Sequence, residues 1–221
     1  MYVGDNGTPG SAARVGKALR KGKGSMYEGG IRVPGVMEWP AVVQEPAVTK
    51  AIAVTTDYKQ TLAEIMGRPL PDRPLDGKSW LPVFNDPSIE RGRPHFFWQY
   101  NRDLFDESCD PYIPMELQEG TTPLVRKRHG KYTRTFRNCV YNEISQEDFQ
   151  GERVMMNDRY KLIVEGDTPN SLGYELYDIE DDPFETENLA DTHPELAEEM
   201  AASLREWQAS VLNSLTGADY E

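Results

Sequence analysis

The sequence predicts an α/β chain that closes with a small antiparallel sheet and an amphipathic helix. Its first three residues are apolar and run into an acidic turn flanked by glycines, as at the end of a buried strand. Three strand-like segments separated by turn residues fill 153–178. Over 194–215 apolar residues then recur at three- and four-residue steps, the spacing of a helix that packs one face against a sheet.

Composition and charge narrow the function classes. The 221 residues include 24 basic and 37 acidic ones, a net charge of −13, which argues against nucleic acid or an anionic membrane surface as a general partner. No apolar run reaches the length of a membrane-spanning helix, and the first residues lack the basic and apolar regions of a signal peptide. Because the first strand has no obvious partner, we expect residues preceding Met1, or another chain, to pair with it.

The opening loop holds the main candidate site. Asp5 and Asn6 offer two hard oxygen donors after a strand, a donor type that suits Ca²⁺ or Mg²⁺. A basic, glycine-spaced loop follows and carries Lys23, and a strand over 31–33 is predicted to end at Pro34. A cation beside a lysine would stabilise a tetrahedral oxyanion. Taken alone, Asp-Asn-Gly is also an ordinary turn signal, and a loop lysine is commonly just solvated.

Further elements follow along the chain. Strands are predicted over 36–39 and 47–54, and a helix begins near Asp57 with Gln60 in a capping-box position and Gly67 as its C-cap. We expect Asp57 to be a plain helix cap without chemistry. One helical face collects the apolar residues Tyr58, Leu62, Ile65 and Met66.

We place a boundary near residue 91, which divides the chain into 1–90 and 91–221. Residues 94–101 form an aromatic strand candidate, and a cluster of basic residues, the basic island, follows within 105–151. This island could attract a sulfated substrate, or its charges could simply be solvated. Its candidate binding residues are Arg126, Arg128 and His129.

The C-terminal part has the clearest local signals. Asn157-Asp158 fits a two-residue hairpin that requires left-handed backbone, and Asp191-Thr192 offers capping oxygens to the last helix. Cys109 and Cys139 are too few for a disulfide framework, and whether they pair is open. The predicted apolar stripe of the last helix consists of Leu196, Met200, Leu204, Trp207, Val211 and Leu215.

Three strings together resemble the sulfatase family, the arylsulfatases and their relatives in the alkaline phosphatase superfamily. They are GKGSMYEGGIRVPGVMEWP at 22–40, LDGKSWLPVF at 75–84 and YELYDIEDDPFETENLA at 174–190, and the resemblance covers 1–101 and 153–217. It implies the C-terminal part of an alkaline-phosphatase/sulfatase-like fold. It also implies that Asp5 and Asn6 are ligands of a Ca²⁺ ion and that Lys23 contacts the sulfate group.

The resemblance implies a sulfuric ester hydrolase whose other active-site parts lie elsewhere. Sulfatases make a formylglycine nucleophile from Cys or Ser in a Cys/Ser-x-Pro-x-Arg signature. Cys109 and Pro111 have that spacing, but Ile113 replaces the arginine, so we assign no nucleophile to this chain. We therefore expect it to be inactive alone, with the N-terminal portion of the same enzyme and a sulfated small molecule or glycan as partners. Relatives are commonly periplasmic, secreted or lysosomal, and the compartment of this chain stays open.

Two other functions remain possible at this stage. A non-catalytic module could bind anions or sulfated glycans through the basic loops, without any dependence on Ca²⁺. A metal-dependent phosphoesterase of the same superfamily would use similar chemistry, although Asn6 and the GKG-x-x-x-EGG string favour sulfate. A purely structural role is a further alternative.

Overall fold

The fold is described from a computed structural model that covers residues 1–8, 19–92, 94–99, 149, 151–166 and 173–220, together with the backbone of 127–128 and 131–132. Within these residues it joins short helices and strands to a four-stranded antiparallel sheet and a long C-terminal helix. The predicted fold class is confirmed. No helix in the described ranges is both long and apolar enough to cross a membrane.

The N-terminal part differs from the prediction at its second element. Strand β1 (Tyr2–Val3) is followed by a one-turn helix α1 (Glu28–Ile31) and by strand β2 (Gly35–Val36), which pairs antiparallel with β1. The strands predicted over 31–33 and 36–39 are therefore wrong, apart from Val36. So is the expectation that β1 finds no partner in the chain. The amides of Ile31 and Arg32 donate to carbonyls within the turn, so the local backbone is helical despite the β-branched residues.

The next helix, α2 (Asp57–Ile65), forms where it was predicted, and Gly67 follows it with a positive φ of 61°. The predicted cap at Asp57 is wrong, since the N-cap residue is Thr56, which makes no side-chain cap hydrogen bond. The orientation of the helix also differs from the prediction. Leu62, Ile65 and Met66 are exposed, whereas the polar residues Asp57, Gln60 and Thr61 are buried. The buried face is the polar one because the Asp57 carboxylate is hydrogen-bonded to groups inside the protein.

No strand forms over 47–54, which contradicts the prediction for this apolar run. Its polar groups bind elsewhere, since the Val54 amide donates to Asp57 at 3.0 Å and the Ile52 carbonyl accepts from Arg91 at 2.7 Å. The short helix α3 (Leu81–Asn85) then follows Trp80, whose ring packs edge-on against Tyr58 with 4.8 Å between centroids.

The antiparallel sheet is the largest β element. Strand β3 (His95–Trp98) confirms the aromatic strand, and the two-residue strands β4 (Lys127–Arg128) and β5 (Lys131–Tyr132) pair separately. The predicted meander consists of β6 (Arg153–Met156), β7 (Tyr160–Glu165) and β8 (Gly173–Asp178). The strand order is β3-β6-β7-β8, with every neighbour antiparallel.

The turn between β6 and β7 lacks the predicted left-handed backbone. Neither Asn157 nor Asp158 has a positive φ. Instead, the Asn157 side-chain oxygen accepts hydrogen bonds from the amides of Arg159 at 2.9 Å and Tyr160 at 2.6 Å. The turn is therefore closed by a side chain rather than by an unusual backbone conformation.

The C-terminal helix α4 (Pro194–Leu215) matches the prediction and is followed by a short 3₁₀ turn at Ala218–Tyr220. Its cap does not match, since His193 is the N-cap residue and makes no side-chain cap hydrogen bond. Met200 and Leu204 of the predicted stripe are buried, but the deeply buried face continues through Ala197, Gln208 and Leu212 rather than Val211. The buried face therefore includes the small Ala197, which packs in the cluster beneath the sheet.

The sheet separates two apolar clusters. On one face α4 packs against Met155, Leu162, Val164 and Leu176. On the other face Val154, Ile163 and Tyr177 pack against Tyr27, which belongs to the loop that carries the candidate site. The C-terminal sheet is thus the surface on which this loop rests.

Candidate active site

The two predicted metal ligands lie side by side on an exposed loop directly after β1. Asn6 donates a hydrogen bond from its side-chain nitrogen to Asp5 Oδ1 at 2.5 Å. Both residues are exposed. The structure therefore places a carboxylate and a carboxamide together at the surface, where a ligand can reach them.

The predicted sulfate-contacting residue, Lys23, belongs to a second loop that is hydrogen-bonded to the first. Its backbone amide donates to the carbonyl of Thr8, two residues after Asn6, at 2.9 Å. Lys23 is exposed. The structure thus brings the backbones of the two predicted segments into direct contact.

A third segment, the turn at Gly29-Gly30, lies beneath both loops. Gly7 donates its amide to the Gly30 carbonyl at 3.1 Å, and Thr8 donates to the Gly29 carbonyl at 3.0 Å. A Cβ on Gly7 would lie 2.2 Å from the Gly29 oxygen, far inside van der Waals contact. The glycines of the sequence motif are therefore needed because three backbone segments approach one another closely.

Tyr27, which precedes this turn, is anchored to the sheet by a polar cluster. Its hydroxyl donates to Glu175, with distances of 3.0 and 2.9 Å to the two carboxylate oxygens. Arg20 donates to the same carboxylate at 3.2 Å and to the Tyr177 hydroxyl, and its guanidinium lies 4.3 Å from the Tyr27 ring centroid. Burial and the hydrogen bond to Glu175 raise the pKa of Tyr27, and the same causes raise that of Tyr177 to about 12. Both phenols stay neutral donors at physiological pH.

Glu28, the next residue, belongs to a buried ionic triad. Lys161 Nζ donates to Glu28 Oε1 at 3.0 Å and to Glu185 Oε1 at 2.8 Å. Glu185 Oε2 also accepts the Glu28 backbone amide at 2.9 Å. All three residues are at most 3% exposed. Burial raises the pKa of Glu185, although the Lys161 ammonium opposes that shift.

Sequence reasoning missed this triad. Glu28 and Glu185 stand in two of the strings that carry the family resemblance, and Lys161 stands among apolar strand residues, which was the available signal. Within the 174–190 string, Asp182 accepts the amides of Thr186 and Glu187 and so closes a turn, whereas Glu185 pairs with Lys161 in the buried triad.

Other predicted residues can be placed only in part. Arg128 contributes backbone to β4, while its side chain, like Arg126 and His129, lies outside the described residues. Cys109 and Cys139 lie outside them as well. His95 is buried in β3, and the exposed His193 is the N-cap residue that precedes α4.

Asp5 and Asn6 supply the right type of atom for a calcium ion but too few of them. Asp5 and Asn6 supply oxygen atoms of the type that Ca²⁺ prefers, but they are only two residues, and Ca²⁺ takes about six to eight ligands. Over the described ranges, no group of three or more His, Cys, Asp or Glu residues could hold a metal ion. The chemistry of the two donors fits a calcium site, and their number is too small to form one.

Comparison with known proteins identifies the family signature. Residues 21–107 match the family model described as N-sulphoglucosamine sulphohydrolase, C-terminal. No curated protein matches the sequence significantly.

Solved structures share the fold at low identity. One, from a study of glycosaminoglycan metabolism by Bacteroides thetaiotaomicron, is 21% identical with a TM-score of 0.52, and covers 86% of this chain and 32% of its own. A 2-O GAG sulfatase is 18% identical with a TM-score of 0.52, over 88% of this chain and 33% of its own. The structure of Ps i-CgsB in complex with k-i-k-neocarrahexaose is 18% identical with a TM-score of 0.55, and covers 94% of this chain and 36% of its own.

The chain spans about a third of the length of these structures. The match over 21–107 and the shared fold confirm the resemblance seen in the sequence, as a similarity to the C-terminal portion of sulfatases.

Proposed function

We propose that this chain forms one side of the active site of a sulfuric ester hydrolase. In this proposal Asp5 and Asn6 are two of the Ca²⁺ ligands and Lys23 contacts the sulfate group. The supporting observation is the hydrogen bond from the Lys23 amide to the Thr8 carbonyl, which joins the lysine loop to the Asp5-Asn6 loop. The likeness to sulfatase structures supports the same assignment.

The cation would supply positive charge that polarises the sulfuryl oxygens. The chain's own contribution is to hold an anionic and a neutral oxygen donor next to each other on a loop fixed by Gly7. The remaining ligands would come from the part of the enzyme that makes up the other two thirds of its relatives' length.

Lys23 would bind the nonbridging oxygens of the sulfate as a compact point charge. A fixed positive charge stabilises an anion most when its position is set before the substrate arrives, because no reorganisation is then needed during the reaction. The hydrogen bond from the Lys23 amide to Thr8 fixes the backbone from which this side chain extends before a substrate arrives.

The same proposal assigns a role to each part of the enzyme. Residues 1–90 would supply the site, 91–221 would support it, and the N-terminal portion of the enzyme would supply the nucleophile. We propose a sulfated small molecule or glycan as substrate, since structural neighbours include a 2-O GAG sulfatase and a complex with a neocarrahexaose. The isolated chain would have no turnover.

The test replaces Lys23 in the whole enzyme that contains this chain. Lys23→Ala should lower kcat/KM for a sulfate ester about 100- to 1,000-fold, the loss expected when one oxyanion donor is removed. Lys50→Ala is the matched control, because that lysine is 89% exposed and pairs only with the surface residue Glu180. An unchanged kcat/KM in Lys23→Ala would remove the lysine from the site. Turnover by the isolated chain would contradict its proposed incompleteness.

A further inference from the structure

The ionic triad of Glu28, Lys161 and Glu185 fixes the turn that underlies the candidate site. Lys161 reaches the turn from the beginning of β7 and Glu185 from the segment after β8, so residues of the C-terminal sheet and its following segment hold the turn. The Glu28 amide is held in addition by Glu185. The position of Glu28 is thus set by two hydrogen bonds to buried groups, one from Lys161 to its carboxylate and one from its own amide to Glu185.

A continuous series of backbone hydrogen bonds runs from this turn to Lys23. The residues that follow Glu28 accept the amides of Gly7 and Thr8, and Thr8 in turn accepts the amide of Lys23. The Gly29 amide donates to the Arg20 carbonyl at 3.0 Å, which closes the loop from its other end. A displacement of Glu28 must therefore move both the Asp5-Asn6 loop and the lysine loop.

The packing around the turn leaves little room for it to shift alone. A Cβ on Gly30 would lie 2.0 Å from the Ser25 oxygen, and one on Gly29 would lie 2.4 Å from the Arg20 oxygen. Because the segments touch through backbone atoms, no flexible side chain can absorb a movement between them. We therefore expect the Asp5-Asn6 loop, the Lys23 loop and the Gly29-Gly30 turn to move together.

The charge balance of the triad makes it sensitive to single changes. One buried ammonium serves two buried carboxylates, and the exposed Arg32 pairs with Glu28 at 3.5 Å, so loss of Lys161 would leave Glu185 without the cation that it pairs with. Glu185→Gln leaves the ammonium paired with Glu28 alone and replaces the carboxylate that holds the Glu28 amide. A substitution at Glu185 therefore acts on the triad directly. The Glu185 side chain is hydrogen-bonded to Lys161 and to the Glu28 amide, rather than to Asp5, Asn6 or Lys23.

We propose that Glu28, Lys161 and Glu185 are positioning residues for the sulfate site, which set the location of the Lys23 loop through the Gly29-Gly30 turn. This inference rests on the proposed function, and it assigns the C-terminal sheet a role in substrate-anion binding. The triad acts through the turn and does not itself touch the substrate.

Hydrogen–deuterium exchange on the chain gives the first test. In Glu185→Gln, the amides of Thr8 and Lys23 should exchange at least about tenfold faster, while the β7 amides, which report opening of the whole sheet, change less. Leu212→Ala is the control, since it creates a cavity under α4 without contacting the turn. Equal changes in both variants, or no change at Lys23, would overturn the proposal. Glu28→Gln alters the same triad and replaces Glu185→Gln if that variant does not fold.

Kinetics of the whole enzyme give the second test, through a double-mutant cycle. Glu185→Gln should lower kcat/KM by up to about 100-fold, since a misplacement of about 1 Å can cost that much. In a Lys23→Ala background the same substitution should have a smaller effect, because the part of its consequence that is transmitted through that lysine is already lost and only the part transmitted through the Asp5-Asn6 loop is left. Additive effects in the cycle would refute the positioning role. An unaffected Lys23→Ala single variant would instead refute the proposed function, which separates the two failures.

Discussion

Arg91→Met is expected to cause a large loss of stability, because it removes the cation that pairs with a buried carboxylate in the described part of the chain. Asp57 and Arg91 are 1% and 4% exposed, and their side chains meet at 2.6 Å. Asp57 also accepts the Lys78 amide at 2.7 Å and the Trp80 indole nitrogen at 2.8 Å. Burial alone would raise the pKa of Asp57, but the Arg91 hydrogen bond and the backbone amides hold it below its usual value. The carboxylate is therefore ionised at neutral pH.

The magnitude follows from the burial of the charge that remains. Breaking a buried pair by removing one partner costs about 3–5 kcal/mol, since the neutral donors that remain cannot replace a cation. For a chain of this size that loss lowers Tm by about 6–20 °C. Lys50→Met at the exposed Lys50–Glu180 pair should cost about 1 kcal/mol or less.

Urea and thermal unfolding of the purified chain, followed by circular dichroism, measure these differences. Adding Asp57→Asn to Arg91→Met should recover part of the loss, because the unpaired charge is removed along with its partner. The reasoning is refuted if Arg91→Met is no more destabilising than Lys50→Met, or if the double variant is less stable than Arg91→Met alone.

Three further changes test other parts of the structure. Gly7→Ala should cost about 1–3 kcal/mol in urea unfolding, since its Cβ would lie 2.2 Å from the Gly29 oxygen, and a cost below the detection limit would refute that close packing. Because the pKa of Glu185 is higher in the folded than in the unfolded chain, the folded state binds more protons between the two values. Its contribution to the free energy of unfolding therefore falls as pH rises from about 4.5 through the raised pKa, and Glu185→Gln should flatten the measured pH profile in that window. Asn157→Ala should lose about 0.5–2 kcal/mol, as for a lost helix cap, whereas Asn157→Asp, which keeps the accepting oxygen, should lose less in the same assay.

Much of the fold was predictable where a local pattern and the tertiary packing agree. The meander and α4 have strong periodic signals and turn residues, and the structure contains them. The apolar run over 47–54 also has a strand-like pattern but forms no strand, and its Val54 amide and Ile52 carbonyl bind Asp57 and Arg91 instead. Short apolar runs cannot reveal which partner their backbone will find.

Within the candidate site, the sequence predicted the motif residues but not the buried residues that hold their loops in place. Asp5, Asn6 and Lys23 were identified from residue type, spacing and family resemblance, and their roles stay predictions. Lys161 in a strand and Glu185 in an acidic turn each suggest a solvated charge when considered singly. Only the tertiary structure shows that both residues are buried and paired in a triad with Glu28.

The sequence by itself determined the local elements and the chemistry available at the opening loop, since both depend on neighbouring residues. The tertiary structure alone decided which face of α2 is buried, how β1 is paired, and that the Lys23 loop rests on the C-terminal sheet. The physical reason is that buried charges require partners, and Lys161 finds its partners 133 and 24 residues away along the chain. Contacts over such separations leave no periodic trace in the sequence.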